Sequence, residues 1–225
     1  MYNMRVSSQN TSSTVTLLAT KAANTNNSFR YNFTSSYKYV IVTSVVYDSQ
    51  SAVNNVTTDA TVASSTVIEN STNRKSKTYV LSNVISGQYV NIQYDWHTGI
   101  AIYGINWRDC STLYTSVAPS YQWSGISANS GSSTSQTLTL SVGYKEAYIF
   151  AASSDYRNGT GFSLIANNGT LSSVTNGYNG AFGSYLRYVI YKIDNAPAGT
   201  VITYRATNGE NYGHGIAIGI CGITS

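Results

Sequence analysis

Charge is what this chain has least of. Lys, Arg, Asp and Glu make up 10% of its 225 residues, against roughly 25% in an average soluble protein. The net charge of +4 comes from 13 basic and 9 acidic side chains scattered along the whole length. Ordinary electrostatic binding of nucleic acid needs Lys and Arg gathered on one face, and so thin a scatter excludes it. The one basic run, "NRKSK" (73–77), reads as a solvated loop between strands, with a contact to phosphate as the sharper alternative.

Cysteine, histidine and proline are just as scarce, at two residues each. Two cysteines in a chain this long are no disulfide framework. Cys110 and Cys221 therefore read as buried thiols, with a single bridge left open. Two His and two Cys are too few to build a protein-only zinc site easily, and nine carboxylates leave little material for a glycosidase pair. The serine-rich "GISANSG" (125–131) has the wrong spacing for a nucleophile elbow. "GHGIAIG" (213–219) lacks the lysine of a phosphate loop and continues as a strand pattern. No catalytic residue, cofactor or metal site is assigned. The longest apolar runs, such as "YVIVTSVVY" (39–47), fall far short of the ~20 residues of a membrane helix, so no membrane insertion is expected. The start, "MYNMRVSSQNTSSTV", lacks the basic and apolar regions of a secretory signal. The expectation is a protein made in a cytoplasm.

In place of charge stand 33 Ser, 26 Thr, 22 Asn and 20 Tyr. Disordered segments are poor in aromatic and β-branched residues. Here Tyr, Val, Ile and Thr abound, and these suit a pleated, half-buried surface. The apolar residues step by two. Val90, Ile92 and Tyr94 fall on one face and Tyr89, Asn91 and Gln93 on the other; Ile202 and Tyr204 alternate with Thr203 and Arg205 in the same way. Between such segments lie "NNGT", "TNGYNG" and "SNVISG", whose Asn and Gly favour turns. The expected class is all-β.

The sequence also repeats itself. "YKYVIVTSVVYD" (37–48) matches "YKEAYIFAASSD" (144–155) at an offset of 107, and "FRYNF" (29–33) pairs with "TLTL" (137–140). "KTYVLSNV" (77–84) resembles "LRYVIYKI" (186–193) at 109, and "SGQYVNIQY" (86–94) parallels "AGTVITYRA" (198–206) at 112. Finally "GIAIYGINW" (99–107) is echoed by "GIAIGICGI" (215–223) at 116, which brings Cys110 and Cys221 near equivalent places. Matches kept in order with a smoothly growing offset predict two tandem related β-sandwich domains, jelly-roll or Ig-like, over 1–110 and 111–225. The glycine-led twins read as terminal strands. Gly99 and Gly215 permit a close backbone approach, while Ala101 and Ala217 keep one face flat for packing against a neighbour.

Two histidines precede those twins, in "DWHTGI" (95–100) and "NYGHGI" (211–216). A His–carboxylate pair with Asp95 or Glu210 would suit acid–base catalysis, but no third group completes a site. A contact surface fits better, because Tyr and Trp give large contact area at low entropic cost beside adaptable Asn and Ser. The candidate contact residues are Trp96, His97, Tyr121, Trp123, Tyr156, Tyr212 and His214. The opposing reading is that most Tyr simply pack cross-strand pairs.

A Ser/Thr/Asn/Gly/Tyr-rich β protein, poor in charge, Pro and His and beginning at an unprocessed Met, resembles the structural proteins of tailed bacteriophages: tail-fibre and receptor-binding tips, head decoration and head-fibre proteins. The resemblance implies a non-enzymatic virion-surface protein, often a trimer, that contacts other virion proteins and a host-surface glycan. Lysis releases such a protein, so it needs no secretion signal. The alternative is a secreted bacterial carbohydrate-binding module or adhesin.

Overall fold

The computed structural model describes residues 14–23, 27–46, 55–69, 75–94, 98–106, 120–124, 133–155, 161–181, 184–207 and 214–224. Among them every regular element is a β-strand, as the composition leads one to expect. A first large sheet contains β1 (Thr14–Ala23), β3 (Tyr37–Val46), β5 (Thr61–Glu69), β6 (Lys75–Val84) and β8 (Thr98–Asn106), in the order β1-β8-β3-β6-β5. A first small sheet contains β2 (Asn27–Asn32), β4 (Val56–Thr58) and β7 (Tyr89–Tyr94), in the order β2-β7-β4.

The later strands form a second large and a second small sheet. The large one holds β9 (Ser120–Ser124), β11 (Tyr144–Asp155), β13 (Thr170–Ala181), β14 (Ser184–Ala196) and β16 (His214–Thr224), ordered β9-β16-β11-β14-β13. The small one holds β10 (Ser133–Thr139), β12 (Gly161–Ala166) and β15 (Val201–Thr207), ordered β10-β15-β12. Adding eight to each strand number of the first pair of sheets gives the second pair. The basic run corrects one expectation: Lys75, Ser76 and Lys77 open strand β6 and are not a loop. The expected division near residue 110 falls between β8 and β9, outside the described residues.

Side-chain alternation decides which layer each residue joins. On β3, Val40 and Val42 meet Val90 and Ile92 of the first small sheet, while Ile41 between them points the other way. Ile100 and Ile102 of β8 follow the first pair; Ala101, Tyr103 and Ile105 follow Ile41. On β11, Ala147, Ile149 and Ala151 face the second small sheet, and Tyr148, Phe150 and Ala152 face back. The result is four layers and three cores, small sheet to large, large to large, large to small. Central strands buried on both faces read as near-continuous apolar runs, which is why β8 is buried from Thr98 to Ile105. β7, in an outer layer, keeps strict alternation.

The middle core, here called the seam, joins the two large sheets. Across it β3 lies on β11, β8 on β14, β6 on β16, β1 on β13 and β5 on β9. Shifting every strand by eight maps these pairs onto themselves, which is the pattern of an isologous two-fold contact. Gly99 lies close under this layer: a Cβ there would stand 2.8 Å from Leu186 Cδ1 across the seam, so the Leu186 side chain would have to shift. Ala101 lies in the same layer, so the flat face inferred for it from sequence does pack on a neighbouring sheet. Asn179 also donates to Thr20 Oγ1 across the seam at 2.8 Å.

Matched turns tie each small sheet to its large one. Gln88 N donates to Ile85 O at 3.2 Å, with Gly87 at φ 95°, and Thr200 N donates to Pro197 O at 3.1 Å, with Gly199 at φ 83°. Positive φ in the third turn position calls for glycine. Gly87 N then reaches Phe33 O, as Gly199 N reaches Leu140 O, both at 2.8 Å.

Strand registers correct two of the sequence offsets. Leu81 pairs with Val40 and Ile193 with Ala147, so β6 matches β14 at 112 and not at 109. An error of three would have put each side chain on the wrong face. Tyr103 pairs with Ile41 and Cys221 with Tyr148, so β8 matches β16 at 118. The glycine twins slide by two, which preserves their faces. By this register the place of Cys221 is taken by Tyr103; Cys110 lies outside the described residues.

Candidate binding surface

Of the residues singled out from sequence, Trp96, His97, Tyr156 and Tyr212 lie outside the described residues. Tyr121 and Trp123 are on β9 and His214 opens β16, and the two strands pair: His214 with Ser124, Gly215 with Trp123, Ala217 with Tyr121. The backbone therefore brings Trp123 and His214 to one sheet edge. The side chains of these three residues lie outside what is described.

The best-defined surface site is one the sequence reading did not single out. It is the outward face of the first small sheet. Since Val90, Ile92 and Tyr94 of β7 point into the core, Tyr89, Asn91 and Gln93 point out. β2 pairs with β7 so that Asn32 stands opposite Tyr89, Arg30 opposite Asn91 and Ser28 opposite Gln93. Thr57 of β4 flanks Asn91 on the other side. The Arg30 guanidinium reaches diagonally to lie over the Tyr89 ring, 3.6 Å from its centre. Its Nε donates to Asn32 Oδ1 at 3.1 Å. Asn55 Nδ2 donates to Gln93 Oε1 at 3.5 Å. Below the ring, Tyr89 N donates to Asp59 Oδ1 at 2.8 Å, which fixes the strand end that carries it.

The corresponding face of the second small sheet has other chemistry. Arg205 sits between Ser135 and Ser163, and Thr203 between Thr137 and Ile165, the last 61% exposed. No ring lies under Arg205 among the described residues. One outer face is thus an amide, aromatic and cationic platform; the other is a hydroxyl and aliphatic one.

Buried polar groups lie between the layers. Ser153 and Tyr204 share a hydrogen bond of 3.1 Å. Burial pushes the Tyr204 hydroxyl up to about 12, against a smaller pull downward from the Ser153 hydrogen bond and then from Arg187. A phenol that holds its proton so firmly cannot activate Ser153 as a base near neutral pH. The Arg187 guanidinium lies 5.6 Å from the Phe162 ring and 5.7 Å from Tyr178. In the seam, Tyr103 is fully buried, and its hydroxyl has no hydrogen-bond partner among the described residues. Burial drives its pKa far up. A cavity of about 10 Å³ adjoins it, lined partly by Thr43, Thr78 and Phe150. At the rim of the second large sheet Lys192 pairs with Asp194 at 2.9 Å and Glu146 at 3.6 Å.

The abundance of tyrosine has one structural explanation in these cores. Tyr103, Tyr144 and Tyr204 are fully buried, and Tyr94 and Tyr148 nearly so. No group of three His, Cys, Asp or Glu side chains that could hold a metal ion occurs among the described residues. Nor is any helix there long and apolar enough to cross a membrane. Comparison with protein-family models, with curated proteins and with solved structures finds no match to this chain.

Proposed function

We propose that this chain is a non-enzymatic structural protein of a tailed-bacteriophage virion, part of its capsid or tail surface or of a fibre, built from two tandem related jelly-roll units at 1–110 and 111–225. Its work is contact: with other virion proteins, with further copies of itself in a homo-oligomer (a trimer is favoured), and with glycan on the host surface. It is made in the host cytoplasm and resides in the virion.

The observation that carries this reading is the recurrence of one strand order in both large and both small sheets. In each set the first strand lies beside the eighth and the second beside the seventh, as in a jelly roll. Viral capsid and lectin domains use that architecture. Fold alone assigns no function, so the reading leans equally on the surface. The large sheets are consumed by three cores, which leaves two outer sheets of amide and hydroxyl side chains to meet a partner. The platform of Arg30 and Tyr89 also suits the second reading, an exported bacterial carbohydrate-binding module or adhesin.

Fractionation separates the two. Particles banded from a lysate on a density gradient should carry the chain and keep it through nuclease treatment and a high-salt wash. Recovery from the medium of uninfected cells, with none on particles, would favour the adhesin.

A further inference from the structure

We propose that the outward face of the β2-β7-β4 sheet is a binding site for a carboxylate-bearing glycan, with Arg30 stacked on Tyr89 as its anion-binding platform. This deepens the contact-making reading above and rests on it only for the biological setting.

The platform is preorganised. A guanidinium lying 3.6 Å over a ring is held by stacking and cation–π attraction, and its Nε is tied to Asn32. The two terminal nitrogens remain, with no partner among the described residues. They form the fork that matches a carboxylate with two parallel hydrogen bonds. No carboxylate faces Arg30 among the described residues; the nearby Asp59 accepts from the Tyr89 backbone. The charge is therefore uncompensated on the surface, and an anion complements it.

The neighbours argue for a sugar. Asn32, Asn91 and Gln93 each offer a donor and an acceptor, and Ser28 and Thr57 offer hydroxyls, all on one flat face. Ring hydroxyls require such mixed partners. A nucleic acid would require several cations at phosphate spacing, and this face has one. An acidic peptide would use the same fork and pair its backbone with the amides, so it enters the test below as the competing ligand. Arg205 on the second small sheet supplies an internal control, being an exposed arginine without the ring and amides around it.

The test is calorimetric titration of the full chain with tri-galacturonate, a sialylated trisaccharide, neutral maltotriose and a polyglutamate peptide. An acidic sugar should bind at least about tenfold more tightly than the neutral one, as expected for a charge-assisted bidentate contact. Arg30→Ala and Tyr89→Ala should each weaken that binding on the order of tenfold or more. Arg30→Lys should also weaken it, because an ammonium keeps the charge but loses the fork. Arg205→Ala should leave it unchanged. Arg30 is exposed, so its variants should melt with wild type, with Arg30→Gln as the second variant if one does not; Tyr89 is half-buried, so Tyr89→Leu, which keeps bulk and removes the ring, stands in for Tyr89→Ala if that variant melts lower. Binding of neither acidic sugar, binding indifferent to Arg30, or tighter binding of a polyglutamate peptide would each overturn the site. Particle association is measured separately: a chain that bands with particles but binds no acidic sugar refutes this inference alone, and the converse refutes only the virion assignment.

Discussion

On one side of the seam Thr43, Thr78 and Tyr103 bring hydroxyls. At the register-matched places on the other side stand Phe150, Ile190 and Cys221. Elsewhere the pattern is the same but the bulk is exchanged: Gly99 lies under Leu186, while its own match is Ala217. Two faces that share a backbone plan have diverged in side chains: threonines on one side match Phe150 and Ile190 on the other, while tyrosines line both, Tyr103 on the first and Tyr148 and Tyr188 on the second, with the Tyr103 and Phe150 rings 5.1 Å apart. A two-fold contact between identical faces sets like against like near its axis. Here unlike residues face one another, and differences of this kind are how specificity against self-pairing is built.

If the seam is a true core, breaking it should outweigh any change on the outer sheets. Leu186 is fully buried there, and Leu186→Ala should cost about 2–5 kcal/mol. For a chain of this size that lowers Tm by roughly 4–20 °C. Ile165→Ala, on the exposed face of the second small sheet, should stay within about 0.5 kcal/mol of wild type. Thermal unfolding followed by circular dichroism checks both. Equal shifts for the two variants would mean that the large sheets merely lie near one another.

The next effect compares two buried tyrosines. Tyr204→Phe leaves the Ser153 hydroxyl buried without the partner it has at 3.1 Å, a loss of about 1–3 kcal/mol. Tyr103→Phe removes a hydroxyl that has no partner among the described residues, so stability at pH 7 should hold or rise. At alkaline pH the two variants share one effect. An unfolded tyrosine ionises near 10, whereas burial raises Tyr204 to about 12 and Tyr103 higher still. From about pH 10 upward the unfolded chain therefore binds fewer protons than the folded one, and stability falls by about 1.4 kcal/mol per pH unit for each such tyrosine. Below that pH both states are protonated and neither residue contributes a slope. Denaturant titrations at stepped pH should show a plateau followed by a decline, shallower in both Phe variants.

How much of this was legible beforehand follows from what a period of two can and cannot say. It put Val90 and Ile92 on one side of a strand and Tyr89 and Asn91 on the other, and the structure agrees. It could not say that β2 lies beside β7, since strand pairing depends on contacts distant in sequence, so the Arg30–Tyr89 stack stayed hidden. Alternation also marks a strand as half-buried, yet Ala101 and Tyr103 are buried opposite Ile100 and Ile102. That second burial comes from the other half of the chain. The offset of 109 failed because a shared "YV" in "KTYVLSNV" and "LRYVIYKI" outweighed the face rule. The error is three residues, an odd number, so it exchanges the two faces of the strand. Of the contact residues chosen from sequence, Trp123 and His214 lie one register step apart on the paired strands β9 and β16, a proximity that only that register could supply.

The smallest effect belongs to the rim. Lys192, Glu146 and Asp194 hold the places that Val80, Tyr39 and Ser82 hold in the first large sheet. Val80 is 1% exposed, whereas the Lys192 side chain is 30% exposed, so one backbone position is core in one half and wet in the other. The Asp194 hydrogen bond, partly offset by burial, raises the Lys192 ammonium above the ordinary lysine range. Its stabilisation is therefore complete at neutral pH and is lost only as pH climbs through that raised value. Solvent screens a pair this exposed, so Lys192→Met should cost under about 1 kcal/mol, and the difference from wild type should shrink in about 1 M salt, where the screening length is near 3 Å. A large loss that persists in high salt would place Lys192 inside the seam. The two large sheets would then meet over a wider area than their apolar residues suggest.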